Sequence, residues 1–196
     1  MLALGISGSP RPGGNTDALL NMVADLLRER GVDVEVIALR NLSFSPCTSC
    51  RTCLREGRCV INDDFTRILV PKLLATDIIL VASPVYFNNV SALTKAFIDR
   101  TWCLRGRLRY KVGGAIVVGR GYGLELAIAA IHAFMLKHCM VIAHRGLQGI
   151  GFEIGEVLSD ERVSRDAKNF VDTIVEVARV TTSLRRGAAN RVKNRC

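Results

Sequence analysis

Apolar positions along this chain switch repeatedly between two periods. Residues 2–6, LALGI, form a short apolar run that ends in glycine and serine. Across residues 15–30 the apolar side chains Leu19, Leu20, Val23, Leu26 and Leu27 share one helical face. Residues 32–39, VDVEVIAL, are β-branched and alternate at their start. A helix is predicted over 64–75, a near-continuous apolar strand over 77–84 and a helix over 90–102. A strand over 112–119, an alanine-rich helix over 124–138, a fifth strand over 140–144 and a last helix over 162–184 complete the series. Apolar runs separated by helices predict an α/β fold, with a parallel sheet covered on both faces. Five strands in this alternation predict a doubly wound sheet of order 2-1-3-4-5.

Such sheets bind ligands beyond the carboxyl ends of their strands. Three loops therefore carry the functional reading. The first is GSPRPGGNT, residues 8–16. Its backbone N–H groups and the following helix N-terminus offer an anion site. Ser9, Asn15 and Thr16 add polar donors, and Arg11 adds a charge-assisted bond. The loop matches neither the Walker pattern nor G-x-G-x-x-G. Its plainer reading is a flexible turn with a helix cap at Asn15 or Thr16. The second loop, SPVYFNNVSALTK, starts where Ser-Pro stops the strand. Pro84, Val85, Tyr86, Phe87 and Asn88 suit a planar heterocycle with polar edges, or else the aromatic pair packs under the next helix. The third loop is GRGYG, where Gly119, Gly121 and Gly123 would let the backbone approach a flat ring.

Cysteines sharpen the picture. Four of the seven, Cys47, Cys50, Cys53 and Cys59, fall in PCTSCRTCLREGRC with spacing C-x2-C-x2-C-x5-C. Two residues between successive thiols let three of them converge on one centre, as in bacterial ferredoxins. The fourth thiol comes later than in a ferredoxin and Val60 follows it, so this is no ferredoxin domain. Structural zinc more often uses two pairs with a long spacer. Iron–sulfur, zinc and labile thiol chemistry all stay open on the spacing alone. Cys103 and Cys139 read as small apolar residues, and Cys196 as an exposed terminal thiol. No metal is assigned to His132, His138 or His144.

GSPRPGGNT, SPVYF and GRGYG, in this order on this alternation, resemble the NADPH-dependent FMN reductase family of flavodoxin-like proteins. The four-cysteine stretch and the VINDDF after it resemble the iron–sulfur flavoproteins of that family. The resemblance spans residues 2–144. It implies a flavodoxin-like doubly wound sheet with a cysteine-rich cluster loop after strand 2. It implies FMN held by Ser9, Arg11, Asn15, Thr16, Pro84, Val85, Tyr86, Phe87, Asn88, Gly119, Gly121 and Gly123. It implies a [4Fe–4S] cluster on Cys47, Cys50, Cys53 and Cys59, and a homodimer or homotetramer with the cluster near a flavin across the subunit boundary. Residues 1–184 are then one FMN-binding domain with a cluster-binding insertion at 43–64, and 185–196 form a basic tail.

Composition trims the alternatives. The formal charge is +9, partly from Arg185, Arg186, Arg191, Lys193 and Arg195. No aromatics interleave with those charges, so no nucleic-acid stacking surface is expected. No apolar run is long enough for a transmembrane helix. The first residues read as a strand and not a signal peptide, which predicts a cytoplasmic protein and disfavours structural disulfides. The expected function is electron transfer between a one-electron donor such as ferredoxin, a cluster, FMN and an acceptor. The rivals are an NAD(P)H-dependent FMN or quinone reductase with a structural or zinc-binding cysteine loop, and a non-catalytic flavin-binding carrier.

Overall fold

The computed structural model describes residues 1–188, with side chains as far as residue 184. Seven strands alternate with helices: β1 (Leu2–Ser7), α1 (Asn15–Glu29), β2 (Asp33–Ala38), α2 (Cys53–Glu56), α3 (Val70–Ala75), β3 (Ile78–Tyr86), β4 (Asn89–Val90), α4 (Ala92–Arg100), β5 (Val112–Gly119), α5 (Leu124–Lys137), β6 (Val141–Ile142), β7 (Leu147–Ile150) and α6 (Glu161–Ala188). The sheet runs β2-β1-β3-β5-β6, with β4 on β3 and β7 on β5. Its principal ladders are parallel, so the flavodoxin-like doubly wound order is present.

The fifth strand departs from expectation. Val141–Ile142 pairs with the start of β5, and Leu147–Ile150 pairs with its end. Between them the chain bends through His144 and Arg145 and returns at Gly146, whose φ is +106°. The predicted strand over 140–144 is therefore only the two-residue β6, and β7, outside the predicted span, continues the same edge position. The predicted helix over 64–75 opens with a π-helical turn, Phe65–Leu69. The predicted helix over 90–102 is shorter, because Val90 belongs to a hairpin and a 3₁₀ turn takes over at Thr101. The last helix runs on to Ala188, past the predicted tail boundary, and residues 189–196 lie outside the described residues.

Two apolar layers cover the sheet. Phe65, Leu69, Phe97, Ile131 and Phe134 pack on one face, and Leu19, Val23, Phe170, Val171 and Ile174 on the other. Every residue of β5 is buried, which is why it reads as an unbroken apolar run. Gly114 lies where α6 presses on β5: a Cβ there would stand 2.7 Å from Ile174 Cδ1, Leu80 Cδ2 and Phe170 Cζ. Gly114→Val should therefore destabilise the protein by about 1–3 kcal/mol through overpacking. The check is urea unfolding, with a lower midpoint and an unchanged slope expected; an unchanged midpoint would show that α6 yields freely.

Candidate functional site

Two cavities stand at opposite ends of the same helices. The first, of about 270 Å³, lies beyond the carboxyl ends of β1, β3 and β5. Ser9, Arg11, Asn15, Thr16, Pro84, Val85, Tyr86 and Gly119 line it, as the sequence placed them. Their roles differ in detail. Ser9 Oγ donates to the Arg11 carbonyl at 3.0 Å and accepts the Arg11 N–H at 3.2 Å, so it shapes the loop. Asn15 donates from Nδ2 to the Glu153 carbonyl at 2.7 Å and accepts the Val157 N–H at 3.4 Å. Its amide thus ties α1 to the segment after β7. Left toward the cavity are Arg11 and the first N–H groups of α1, which have no partner within the helix.

Phe87, Asn88, Gly121 and Gly123 are not among the residues lining this cavity. Phe87 and Asn88 are the two central residues of the β3–β4 hairpin, at φ +47° and +61°. Two positive φ values are what a two-residue hairpin of right-twisted strands requires. Phe87 consequently stands fully exposed, at 101%. Gly123 has φ +66°, and a Cβ there would stand 2.5 Å from Asn88 Cα. These residues lock the second and third loops together at the cavity's side.

Val118, Arg120, Tyr122, Gly151 and Phe152 line the cavity and were not anticipated. Arg120 lies over the Phe152 ring at 5.5 Å. Phe152 is held by Glu156, whose carboxylate accepts the N–H groups of Phe152 and Glu153 at 2.6 and 2.7 Å. A fourth loop, after β7, therefore supplies a wall. The split of the fifth strand hid it, since the apolar pattern gave no strand end at residue 150. The apolar walls of Val85 and Val118, the tyrosines and the cationic end at Arg11 fit a phosphorylated planar heterocycle.

The second cavity, of about 620 Å³, is lined by Cys47, Cys50, Cys53 and Cys59 together. Cys103, Trp102, Phe134, Lys137 and His138 close it from the 3₁₀ turn after α4 and the end of α5. Arg100 pins the loop from below. This arginine is 1% exposed and lies 4.7 Å from the Phe65 ring centroid. Nη1 donates to Asp63 at 2.6 Å and to the Ser45 carbonyl at 2.7 Å. Nη2 donates to Asp63 at 2.9 Å and to Cys59 Sγ at 3.6 Å. The two ends of the cysteine segment are thereby fixed to α4. Ser49 N–H adds a donor to Cys47 Sγ at 3.4 Å.

The thiols that line this cavity differ in electrostatic setting. Burial pushes the Cys53 thiol up, and the charges of Cys59, Cys47 and Cys50 push it further. Hydrogen bonds from Thr52 hold Cys50 down. Burial, with Cys59 and Cys53 nearby, pushes Cys103 up to about 11, so it stays a neutral thiol beside the other four. Burial drives His138 down to about 4. Among the described residues no three histidine, cysteine or acidic side chains are drawn together tightly enough for a single metal ion. A tetrahedral zinc ion would need sulfurs about 3.8 Å apart, given Zn–S near 2.3 Å. Four thiols around one cavity, with Arg100 donating to Cys59, are a donor set that could hold a thiolate-bound metal or cluster.

Residues 1–148 match the family model for NADPH-dependent FMN reductases. An iron-sulfur flavoprotein of Methanocaldococcus jannaschii is 40% identical over 92% of this chain and 98% of its own. The chain belongs to the NADPH-dependent FMN reductase family. A second iron-sulfur flavoprotein, from Methanosarcina thermophila, is 36% identical over 89% of this chain and 95% of its own. The crystal structure of RosB with bound 8-demethyl-8-formylriboflavin-5'-phosphate superposes with a TM-score of 0.74 at 15% identity, over 100% of this chain and 91% of that one, which shows the shared fold. As a member of this family, the chain is a flavin redox protein. No helix among the described residues is long and apolar enough to cross a membrane.

Burial raises the Asp63 carboxyl, but Arg100 and the backbone N–H of Ser45 outweigh it and hold it below its usual value. A depressed folded value contributes stability above the unfolded carboxylate range, lost as pH falls through the folded value. Asp63→Ala, which strands Arg100, should cost about 3 kcal/mol. Asp63→Asn should show a shallower loss of stability on acidification than the wild type. Urea midpoints across pH check both expectations, and parallel curves for the two proteins would contradict this account of Asp63.

Proposed function

We propose that the protein relays electrons between FMN, held in the smaller cavity, and a [4Fe–4S] cluster held by Cys47, Cys50, Cys53 and Cys59. The observation that carries this reading is the single cavity lined by all four thiols on a flavin-reductase scaffold. Bound there, the cluster would exchange one electron at a time and FMN one or two, which joins a one-electron donor such as ferredoxin to a two-electron acceptor. The chain's own residues bind and orient. Arg11 and the N-terminus of α1 would take the phosphate, while Pro84, Val85, Tyr86 and Gly119 would flank ring and ribityl chain. Ser49 and Arg100 would donate to cluster thiolates.

Helix α5 begins beside the flavin cavity and ends at the cysteine cavity. Its 14 residues span about 21 Å at 1.5 Å per residue. A second copy of the chain is therefore part of the reading, since it can bring its own cysteine loop to this flavin cavity. Exposed Phe87 beside one cavity, with Leu54 and Val60 at the mouth of the other, is the apolar surface such a copy would cover.

Cys53→Ala, prepared without oxygen, should lose most iron and sulfide while keeping flavin, because the two loops are separate. Full retention of iron would remove Cys53 from the ligand set. Arg51, Arg55 and Arg58 are exposed around the cysteines, and Arg58, Arg67 and Arg107 line a further cleft behind Cys59. This basic ring suits an acidic one-electron carrier. Arg55→Glu should slow the second-order rate of electron exchange with a ferredoxin at low salt, with a deficit that shrinks as salt rises. A low-salt rate left unchanged would end the steering idea.

A further inference from the structure

Beneath the first loop lies a pair of charges that neither the motif nor the cavity lining accounts for. Helix α1 starts at Gly14 without a side-chain cap. Asp17, in its first turn, turns back under the loop instead. Its carboxylate accepts the Gly13 N–H at 3.0 Å and the Ser7 hydroxyl at 2.5 Å. Arg40, in the turn after β2, donates to the same carboxylate, with Nη1 at 2.9 Å from one oxygen and 3.2 Å from the other. The same Nη1 also donates to the Ser9 carbonyl at 3.2 Å. Asp17 is 9% exposed. One carboxylate thus joins the end of β1, the middle of the loop and the first turn of α1, and one arginine fixes all three to β2.

An acid in a first helical turn ordinarily complements the helix N-terminus. Here the same N-terminus faces an anion site, so an uncompensated carboxylate would repel the ligand it lies under. Arg40 removes that conflict. Arg11 lines the cavity and Arg40 does not, so Arg40 acts on a ligand only through Asp17 and the loop.

We infer that Asp17 and Arg40 form a largely buried, charge-neutral clamp under residues 8–14, and that neutralising Asp17 gives the site its preference for a phosphorylated flavin. The inference rests on reading residues 8–16 as the phosphate loop. Arg40 is then a positioning residue, and its removal should penalise the phosphate specifically. Riboflavin, which lacks the phosphate, separates this from general damage to the pocket.

The test compares dissociation constants for FMN and riboflavin on the full-length chain. The wild type should prefer FMN strongly. Arg40→Met should weaken FMN by about tenfold or more, since it leaves a carboxylate near the phosphate in a poorly solvated setting, and should leave riboflavin unchanged. The double variant Arg40→Met with Asp17→Asn should recover most of the lost FMN affinity, because the stranded charge is gone. Arg40→Lys keeps the charge and should keep the preference; it serves as the deciding variant if Arg40→Met does not fold. Equal losses for both flavins, a double variant no better than Arg40→Met, or loss of the preference in Arg40→Lys would each overturn the clamp. A wild type that binds both flavins equally would instead overturn the phosphate-loop reading itself.

Discussion

Arg100 holds together parts of the chain that share no strand or helix. The cysteine segment lacks a hydrophobic core of its own: Cys47 and Cys50 are exposed, and Ser49 and Arg51 adopt positive φ values of 55° and 57°. Such a segment has little to fix it except its ends. Arg100 supplies that fixation, with Asp63 and the Ser45 carbonyl on one guanidinium and Phe65 beneath it. A buried arginine needs a partner for its charge. Nη1 and Nη2 find theirs while the buried Nε has none, and those two nitrogens place Ser45 and Asp63, one on each side of the four cysteines, against the end of α4. A thiolate cluster bound there would add negative charge where the cation already sits, and Arg100 already donates to Cys59. Folding of the loop and its chemistry thus depend on the same contact.

The same helix carries the other end of the argument. Ser91 caps α4, accepting the Thr94 N–H, and its hydroxyl donates to the Gly8 carbonyl in the first loop at 2.6 Å. The N-terminus of α4 therefore steadies the flavin cavity while its C-terminus steadies the cysteine cavity. That spacing separates the two cavities within one chain.

The sheet was legible because β1, β3 and β5 are buried on both faces, and continuous apolar runs cannot hide. Ser9, Arg11, Pro84, Val85 and Tyr86 were legible because a strand order dictates where its ligand loops fall. The rest needed three dimensions. Arg100 looks like an ordinary basic residue in the last turn of a helix, and nothing local marks it as buried. Asp63 stands in a conspicuous Asp-Asp pair, yet its partner is 37 positions away. Phe87 and Asn88 form the tip of the β3–β4 hairpin, which the sequence pattern alone does not show, and they do not line the cavity. Phe152 was invisible because the strand before it is split by a bend at Gly146.

The central claim is that the four thiols hold iron and sulfide beside a flavin scaffold, not a zinc ion or free cysteines. The direct measurement is the iron, acid-labile sulfide, zinc and FMN content of wild-type protein purified without oxygen. The account predicts FMN with about four iron and four sulfide per chain, as for a cubane on four thiolates. Stoichiometric zinc without sulfide would contradict it.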